Sequence, residues 1–385
     1  MSAEPRLYLD HNATAPLRPE AMAAAVAAMR AGGNASSVHA EGRAARAAIE
    51  RARAAVGRLA GVSPGRVTFT SGATEAAATL LQPDWTAQGR PLRFARLIVS
   101  AVEHPCILRG GRFAAGMVSE LPVDADGIVR LDHLEALLAE GPGPVLVAVQ
   151  LANSETGVIQ PIEAVAGMVR GHGGILVCDA VQAAGRLPLA RVPADCLMLS
   201  GHKIGGLAGA GAIVARDDGG PVPLLTGGGQ ERNRRAGTEA LPAIAAFGAA
   251  AEAAVNDLQN IGALTDLRDW LRDALRTISP TLTVIGENAD RLPNTLCVAL
   301  PGVAAETAVI AFDLEGVAVS AGSACSSGKV GASHVLKAMG MPDAAARGGL
   351  RISLGWSTQR ADVERFIGVW RRVVARLGSG SGRAA

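Results

Sequence analysis

Residues 175–203 read ILVCDAVQAAGRLPLARVPADCLMLSGHK. Two short apolar runs stand inside this stretch, ILVCD at 175–179 and CLMLS at 196–200. A run that is apolar at nearly every position is the mark of a strand covered on both faces. Each run ends on polar residues. Asp179 closes the first, with Gln182 three positions on, and Ser200, His202 and Lys203 follow the second. Functional side chains collect at the carboxyl ends of parallel strands. Similar runs recur at VTFT (67–70), RLIVS (96–100), PVLVAVQ (144–150) and AIVA (212–215). Helical stretches lie between many of them. Ahead of the first, Ala45, Ile49, Ala52, Val56 and Leu59 recur at spacings of 4, 3, 4 and 3, one face of a helix. The alternation predicts an α/β domain on a mostly parallel sheet.

The character changes after about Ala240. A long helical stretch (242–278) leads into TLTVIG, TLCVALPG, VAVSAGSAC and LRISLGW, where strands and helices mix without simple alternation. The expected division is a large domain over 16–255 and a smaller α+β domain over 256–376, completed by residues 1–15. The Gly/Ser-rich tail 377–385 reads as disordered. No internal repeat is visible.

Composition narrows the function. At 385 residues with 49% hydrophobic and 19% charged content, the chain is globular. A net charge of +2, with basic residues spread along the chain, argues against direct nucleic-acid binding. The opening MSAEPRLYLD lacks the basic-then-apolar pattern of a secretory leader. The Ala-rich run 241–255 is broken by Glu252 and reads as a packed helix, not a membrane span. Five scattered cysteines (106, 178, 196, 297, 325) without CxxC spacing disfavour disulfides and zinc, so a reducing cytoplasm is expected.

Several short motifs carry chemistry. TFTSGATE (68–75) is a strand, a Ser/Gly turn and a helix start, which aims free N–H groups and a helix dipole at one point. That suits a phosphate, with Thr74 adding a hydroxyl; an ordinary helix cap is the plainer alternative. Asp179 suits a cationic ring nitrogen, or else caps a helix. Lys203, directly after an apolar strand, suits a Schiff base, or else sits on a rim. Ser200 and His202 flank it and suit phosphate oxygens. His104, in Glu103-His104-Pro105, suits stacking on a planar ring or proton transfer, though a lone histidine is often structural. SAGSACSSG (320–328) sets Cys325 among tiny residues, where an exposed, mobile thiol suits nucleophilic attack. In GGGQERNRRAGT (227–238), a solvated loop is the bland reading, and Thr238 reaching a phosphate is the sharper one. Arg351, inside an apolar strand-like segment, calls for a carboxylate from the protein or a substrate. A phosphate seat, an acid for a ring nitrogen, a histidine for the ring face and a Schiff-base lysine are together the parts of a pyridoxal-phosphate site.

The motifs resemble those of the cysteine desulfurases of the NifS/IscS group, within the fold-type I pyridoxal-phosphate enzymes. The likeness runs from YLDHNATAP (8–16) through NASSVHAEGR (34–43), TFTSGATE, EHP, ANSETGVIQP (152–161), CDAVQ (178–182), SGHK (200–203), GGGQERNRRAGTE (227–239) and SAGSACSSG to RISLGWST (351–358). The resemblance implies pyridoxal 5'-phosphate on Lys203, His104 on the ring face, Asp179 at the ring nitrogen and Gln182 at the ring oxygen. It implies a phosphate seat from the Ala73 backbone, Thr74, Ser200 and His202. Thr238 would reach the phosphate of a neighbouring subunit, making a homodimer. Arg351, with Asn12, Asn153 and Ser154, would receive the substrate, L-cysteine. Cys325 would take the sulfur as a persulfide and pass it to an acceptor protein serving iron–sulfur assembly, tRNA thiolation or molybdenum-cofactor sulfuration. Ser154 stands where the family usually has Asn, Ala35 where it has Pro, and IGGLAGAGA (204–212) replaces its usual Gly-Pro-Lys-Gly. Rival readings are a selenocysteine lyase, another class V enzyme, or a weakly catalytic sulfur-transfer scaffold.

Overall fold

The computed structural model describes residues 5–87, 89–216, 219–322 and 332–380. Cys325 lies outside the described residues. Among those described, the central sheet has seven strands: β1 (Val67–Thr70), β2 (Arg96–Ser100), β3 (Val118–Leu121), β4 (Val145–Ala148), β5 (Ile175–Asp179), β6 (Cys196–Ser200) and β7 (Gly211–Ala215). Their order is β1-β7-β6-β5-β4-β2-β3. β7 pairs antiparallel with both neighbours, and the other pairings are parallel.

The apolar runs follow from this layering. Alternate residues of a strand point to opposite faces, and both faces are covered. Leu176, Cys178, Leu197 and Leu199 enter a core formed with helices Ala40–Ala60, Ile162–Gly171 and Leu241–Asp257. Val177, Cys196 and Met198 enter a second core with helix Ala73–Leu80, Trp85 and Phe94. A third core lies under a separate antiparallel sheet, ordered Thr283–Val284, Thr295–Ala299, Gly349–Ser353, Ser320–Ala321. Phe312 stacks there on both Phe366 and Trp370, with centroids 5.4 and 5.5 Å away, and those two rings also touch, with centroids at 6.0 Å. The N-terminal strand Leu7–Tyr8 pairs with Val317–Ala318, and Asp10 bridges to Ser353.

Some elements differ from the sequence reading. The expected helix over 242–278 is two, Leu241–Asp257 and Ile261–Ile278, joined by a 3-10 turn at Leu258–Asn260. Asp257, at that joint, pairs with Arg18 from the far end of the chain. A hairpin, Asp84–Ala87 with Arg90–Arg93, and the edge strand β3 had no periodic signal, because they are short and largely exposed. The last helix runs Arg360–Gly380, into the Gly/Ser-rich tail. Among the described residues no helix is long and apolar enough to cross a membrane.

Two buried carboxyl groups hold distant segments together. Glu231 accepts from both Arg53 Nη atoms, at 2.6 and 2.7 Å, and from the Phe69 N–H at 2.8 Å. Arg53 also donates to the Val67 carbonyl at 3.0 Å. The contacts join a helix, β1 and the 227–239 loop, and they hold Glu231, Arg232 and Asn233 at φ 47°, 59° and 64°. Three successive non-glycine residues there are strained, and the buried ion pair fixes them.

Glu155, just beyond β4, accepts from Ser333 Oγ at 2.6 Å, and Ser333 caps helix His334–Ala338. A Cβ at Gly322 would fall 2.5 Å from Glu155 Oε2, so a larger residue there would displace this carboxyl. Burial pushes the Glu155 pKa up to about 7, against the pull of Ser333 and Arg351.

Arg53→Met leaves Glu231 charged and buried alone, and unfolding free energy is expected to fall by about 3–5 kcal/mol. Urea denaturation checks this; a loss under ~1 kcal/mol would show the pair to be dispensable. For Glu155 the folded carboxyl holds its proton more tightly than the unfolded one. Its stabilising contribution is therefore full at low pH and lost as pH rises through about 7. Glu155→Gln removes that titration, so stability should decline less from about pH 5 to 7 than in the parent chain. Parallel stability curves for the two proteins would refute the assignment.

Candidate active site

The parallel strands deliver their carboxyl ends to one edge of the sheet. The reversed strand β7 begins at that edge, after the Gly-rich segment 204–210. A cavity of about 550 Å³ lies there. Asp179, Ser200, His202, Lys203, His104, Thr74 and Gln182 all line it, as do Asn12, Ser154 and Arg351. Residues from seven separate segments thus meet in one space.

One wall is the start of helix Ala73–Leu80. Gly72 precedes it with no side-chain cap, and the first-turn residues Ala73 and Thr74 line the cavity. Ser71 N–H is taken by Glu75 at 2.8 Å, and Glu75 pairs with Arg235. A Cβ on Gly211 would fall 2.6 Å from Gly72, so β7 can run flush beneath the turn only because Gly211 has no side chain. Ser200 and His202 face the same wall, and His202 Nδ1 lies 3.1 Å from Thr14 Oγ1. Burial, then Lys203, lowers the His202 pKa to about 4, so the ring is neutral at pH 7.

The floor holds the acid and the amine. Asp179 ends β5, and one carboxylate oxygen accepts from Val181 N–H at 2.8 Å. Burial pushes its pKa up to about 6, against the pull of Val181 and Lys203. Beside it Glu103 is buried, its pKa raised first by burial and then by Asp179. Glu103 Oε1 accepts from Gln150 N–H at 2.6 Å, while Oε2 has no partner. Two neighbouring acids in one apolar site do not both ionise readily, which pushes Glu103 toward its neutral form. Lys203 donates from Nζ to the carbonyls of Asn12 and Ala13 at 2.7 and 2.8 Å.

His104 Nδ1 accepts from the Cys106 N–H at 3.2 Å and lies 3.0 Å from Cys106 Sγ. The ring proton therefore sits on Nε2. Burial, then Lys203 and His334, lowers the His104 pKa. Burial also pushes the Cys106 thiol up to about 12, so it is no thiolate at neutral pH.

Another part of the lining carries the residues expected to meet a substrate. Arg351 donates to Asp10 Oδ1 at 2.7 Å and to the Ser154 carbonyl at 3.0 Å, while its buried Nε has no partner. Ser154 therefore contributes its backbone oxygen to this corner, which Asn12 Nδ2 also contacts at 3.1 Å. Asn153 is elsewhere. Its side chain bonds the Val102 carbonyl and the Glu155 and Thr156 N–H groups, fixing the turn beneath Ser154 instead of lining the cavity. Thr238 is exposed and lies beside Glu231 and Arg235, outside the Lys203 cavity. Glu103, Cys106, Asp10 and Gln150 also belong to this neighbourhood. Reading the sequence had assigned none of them a role, although Glu103 and Asp10 lie inside quoted motifs.

The comparisons with known proteins agree with this geometry. The family model described as aminotransferase class-V matches residues 7–366. A cysteine desulfurase of Cereibacter sphaeroides is 39% identical over 380 residues, covering 97% of this chain and 96% of its own. The cysteine desulfurase IscS of Dictyoglomus turgidum is 35% identical over 379 residues, covering 96% and 95%. Among solved structures, a NifS-like protein from Rickettsia africae superposes with a TM-score of 0.87 at 31% identity, covering 96% of this chain and 99% of that one. The family uses pyridoxal phosphate, and the residues here fit that group. The uncapped helix start suits its phosphate, the buried Asp179 its ring nitrogen, and the Lys203 amine its aldehyde. With the fold-type I architecture, the match over nearly the whole chain and a cavity of this chemistry, the chain belongs to the cysteine desulfurases of the NifS/IscS group in the class-V aminotransferase family.

Proposed function

We propose that the protein converts L-cysteine to L-alanine and moves the sulfur, as a persulfide on Cys325, to an acceptor protein. The observation that carries the reading is the meeting of Lys203, Asp179, His104, Gln182 and Arg351 around one cavity. Pyridoxal phosphate supplies the electron sink that lets bonds at the amino acid's α-carbon break.

The residues around it divide the remaining work. Asp179, as a carboxylate, keeps the ring nitrogen protonated. Gln182 donates to the ring oxygen, and His104 covers the ring face. Ala73, Thr74, Ser200 and His202 hold the phosphate. Arg351 receives the substrate carboxylate through its fork, with Asn12 and the Ser154 backbone shaping that corner. Lys203 Nζ takes the α-proton once cysteine is bound. His104 Nε2 relays a proton near the thiol. The Cys325 sulfur forms a bond to the substrate sulfur, whose bond to the β-carbon breaks. The balance is one cysteine and one thiol giving one alanine and one persulfide, with no external oxidant.

Thr238, exposed and away from its own cavity, fits a contact with the phosphate site of a second copy, and hence a homodimer. The acceptor is a protein of iron–sulfur assembly, tRNA thiolation or molybdenum-cofactor sulfuration. A cytoplasmic setting fits the described cysteines, which are not disulfide-bonded.

Cys325→Ala is expected to keep the bound-cofactor absorbance and to release neither alanine nor sulfide from cysteine. Normal turnover in this variant would remove Cys325 from the mechanism. Lys203→Ala should lose the borohydride-reducible chromophore, and alanine formation should drop by about 100-fold or more. Assaying cysteine and selenocysteine in parallel separates the desulfurase from a selenocysteine lyase.

A further inference from the structure

Arg186 is a buried cation without a carboxylate. It is 7% exposed and lies four residues past Gln182 in the turn that follows β5. Among the described residues no Asp or Glu oxygen comes within 4.0 Å of it. Burial, then Arg351, lowers its pKa to about 10, so it stays charged at neutral pH. An unpaired buried guanidinium is costly. Its side-chain hydrogen bonds among the described residues both go to one residue: Nη1 donates to the Gln182 carbonyl at 2.7 Å and to Gln182 Oε1 at 2.8 Å.

Those bonds decide which way the Gln182 amide faces. Gln182 Nε2 donates to the Asn12 carbonyl at 3.0 Å. A guanidinium only donates and a carbonyl only accepts. Turning the amide over would set Oε1 against the Asn12 carbonyl and its NH₂ against Arg186, losing both bonds. The orientation is therefore settled by partners, where amide orientation is otherwise ambiguous. It leaves the second N–H of Nε2 with no protein acceptor among the described residues, on a side chain that lines the Lys203 cavity. Arg186 itself lines a different cavity, of about 210 Å³, on the other side of Lys203. It works from behind.

We propose that Arg186 is a positioning residue that locks the Gln182 amide with its N–H toward the cavity, and so fixes a hydrogen-bond donor on the cofactor's ring oxygen. The proposal rests on the functional reading above. Without Arg186 the Asn12 carbonyl alone orients the amide, and its N–H is held less firmly toward the cavity. The ring oxygen then keeps more negative charge for the proton beside it, and the pH midpoint of the bound cofactor's absorbance moves up.

The test uses the full chain reconstituted with pyridoxal phosphate and titrated spectrally with pH. Arg186→Met and Gln182→Ala should each raise the midpoint by about half a unit or more. In the Gln182→Ala background, Arg186→Met should add almost nothing, because the effect travels through the amide. Arg186→Gln, which keeps an N–H for Gln182 Oε1 but not the charge, should stay near the parent, and it serves also if the Met variant folds poorly. An Arg186→Met midpoint equal to the parent, full additivity in the double variant, or an Arg186→Gln shift as large as that of Met would each overturn the proposal. A parent protein that takes up no pyridoxal phosphate would instead overturn the functional reading itself; a chromophore indifferent to Arg186→Met leaves that reading standing.

Discussion

The backbone carbonyl of Asn12 accepts from Lys203 Nζ at 2.7 Å and from Gln182 Nε2 at 3.0 Å. The remainder of the site is arranged around this oxygen. The Asn12 side chain donates to the Ser154 carbonyl and to Thr295 Oγ1, and accepts from Asn294. One residue near the amino terminus thus ties two loops of the large sheet to the small one. The amine and the amide that face the cavity are both aimed by it. Backbone oxygens suit this role, because their positions are set by strand pairing and not by a rotatable side chain. The flanking segment is held by the pairing of Leu7–Tyr8 and by the Asp10 bridge to Ser353.

Charge in the site is governed by burial more than by pairing. Asp179, Glu103 and Glu155 all have raised pKa values with burial as the first cause, while His104 and His202 are lowered for the same reason. Groups that would be charged in water are held close to neutrality, so small changes in their surroundings alter their ionisation. An arriving cationic ring nitrogen would favour the Asp179 carboxylate. Pairs of groups pushed in different directions are the usual sign of acid–base work. The fully buried ion pair of Arg53 with Glu231 lies outside the cavity and holds the scaffold.

The central sheet was legible because burial on both faces leaves an unmistakable signal. ILVCD and CLMLS became β5 and β6 with the expected limits. The polar residues at their ends became the cavity floor. The exposed hairpin at 84–93 carries no such signal, since a strand bathed on one side by solvent needs few apolar residues. The break at Leu258–Asn260 was hidden too, because both flanking helices share apolar spacing across it. Asn153 shows the limit at the level of single residues. Its motif places it beside the substrate corner, while its side chain is consumed by the turn.

Sequence alone determined six of the seven central strands, the strand-end positions of Asp179 and Lys203, and the family motifs, because these depend on local pattern and near neighbours. The tertiary structure decided which distant groups share one space. Arg186 looks like any helix-turn arginine until Gln182, Asn12 and Lys203 are seen on one oxygen-and-nitrogen chain. Glu155 likewise gains its raised pKa only from burial in the assembled fold, with Ser333 pulling against it. Hydrogen-bond direction and desolvation are properties of the assembled neighbourhood, and residues more than a hundred positions apart supply it.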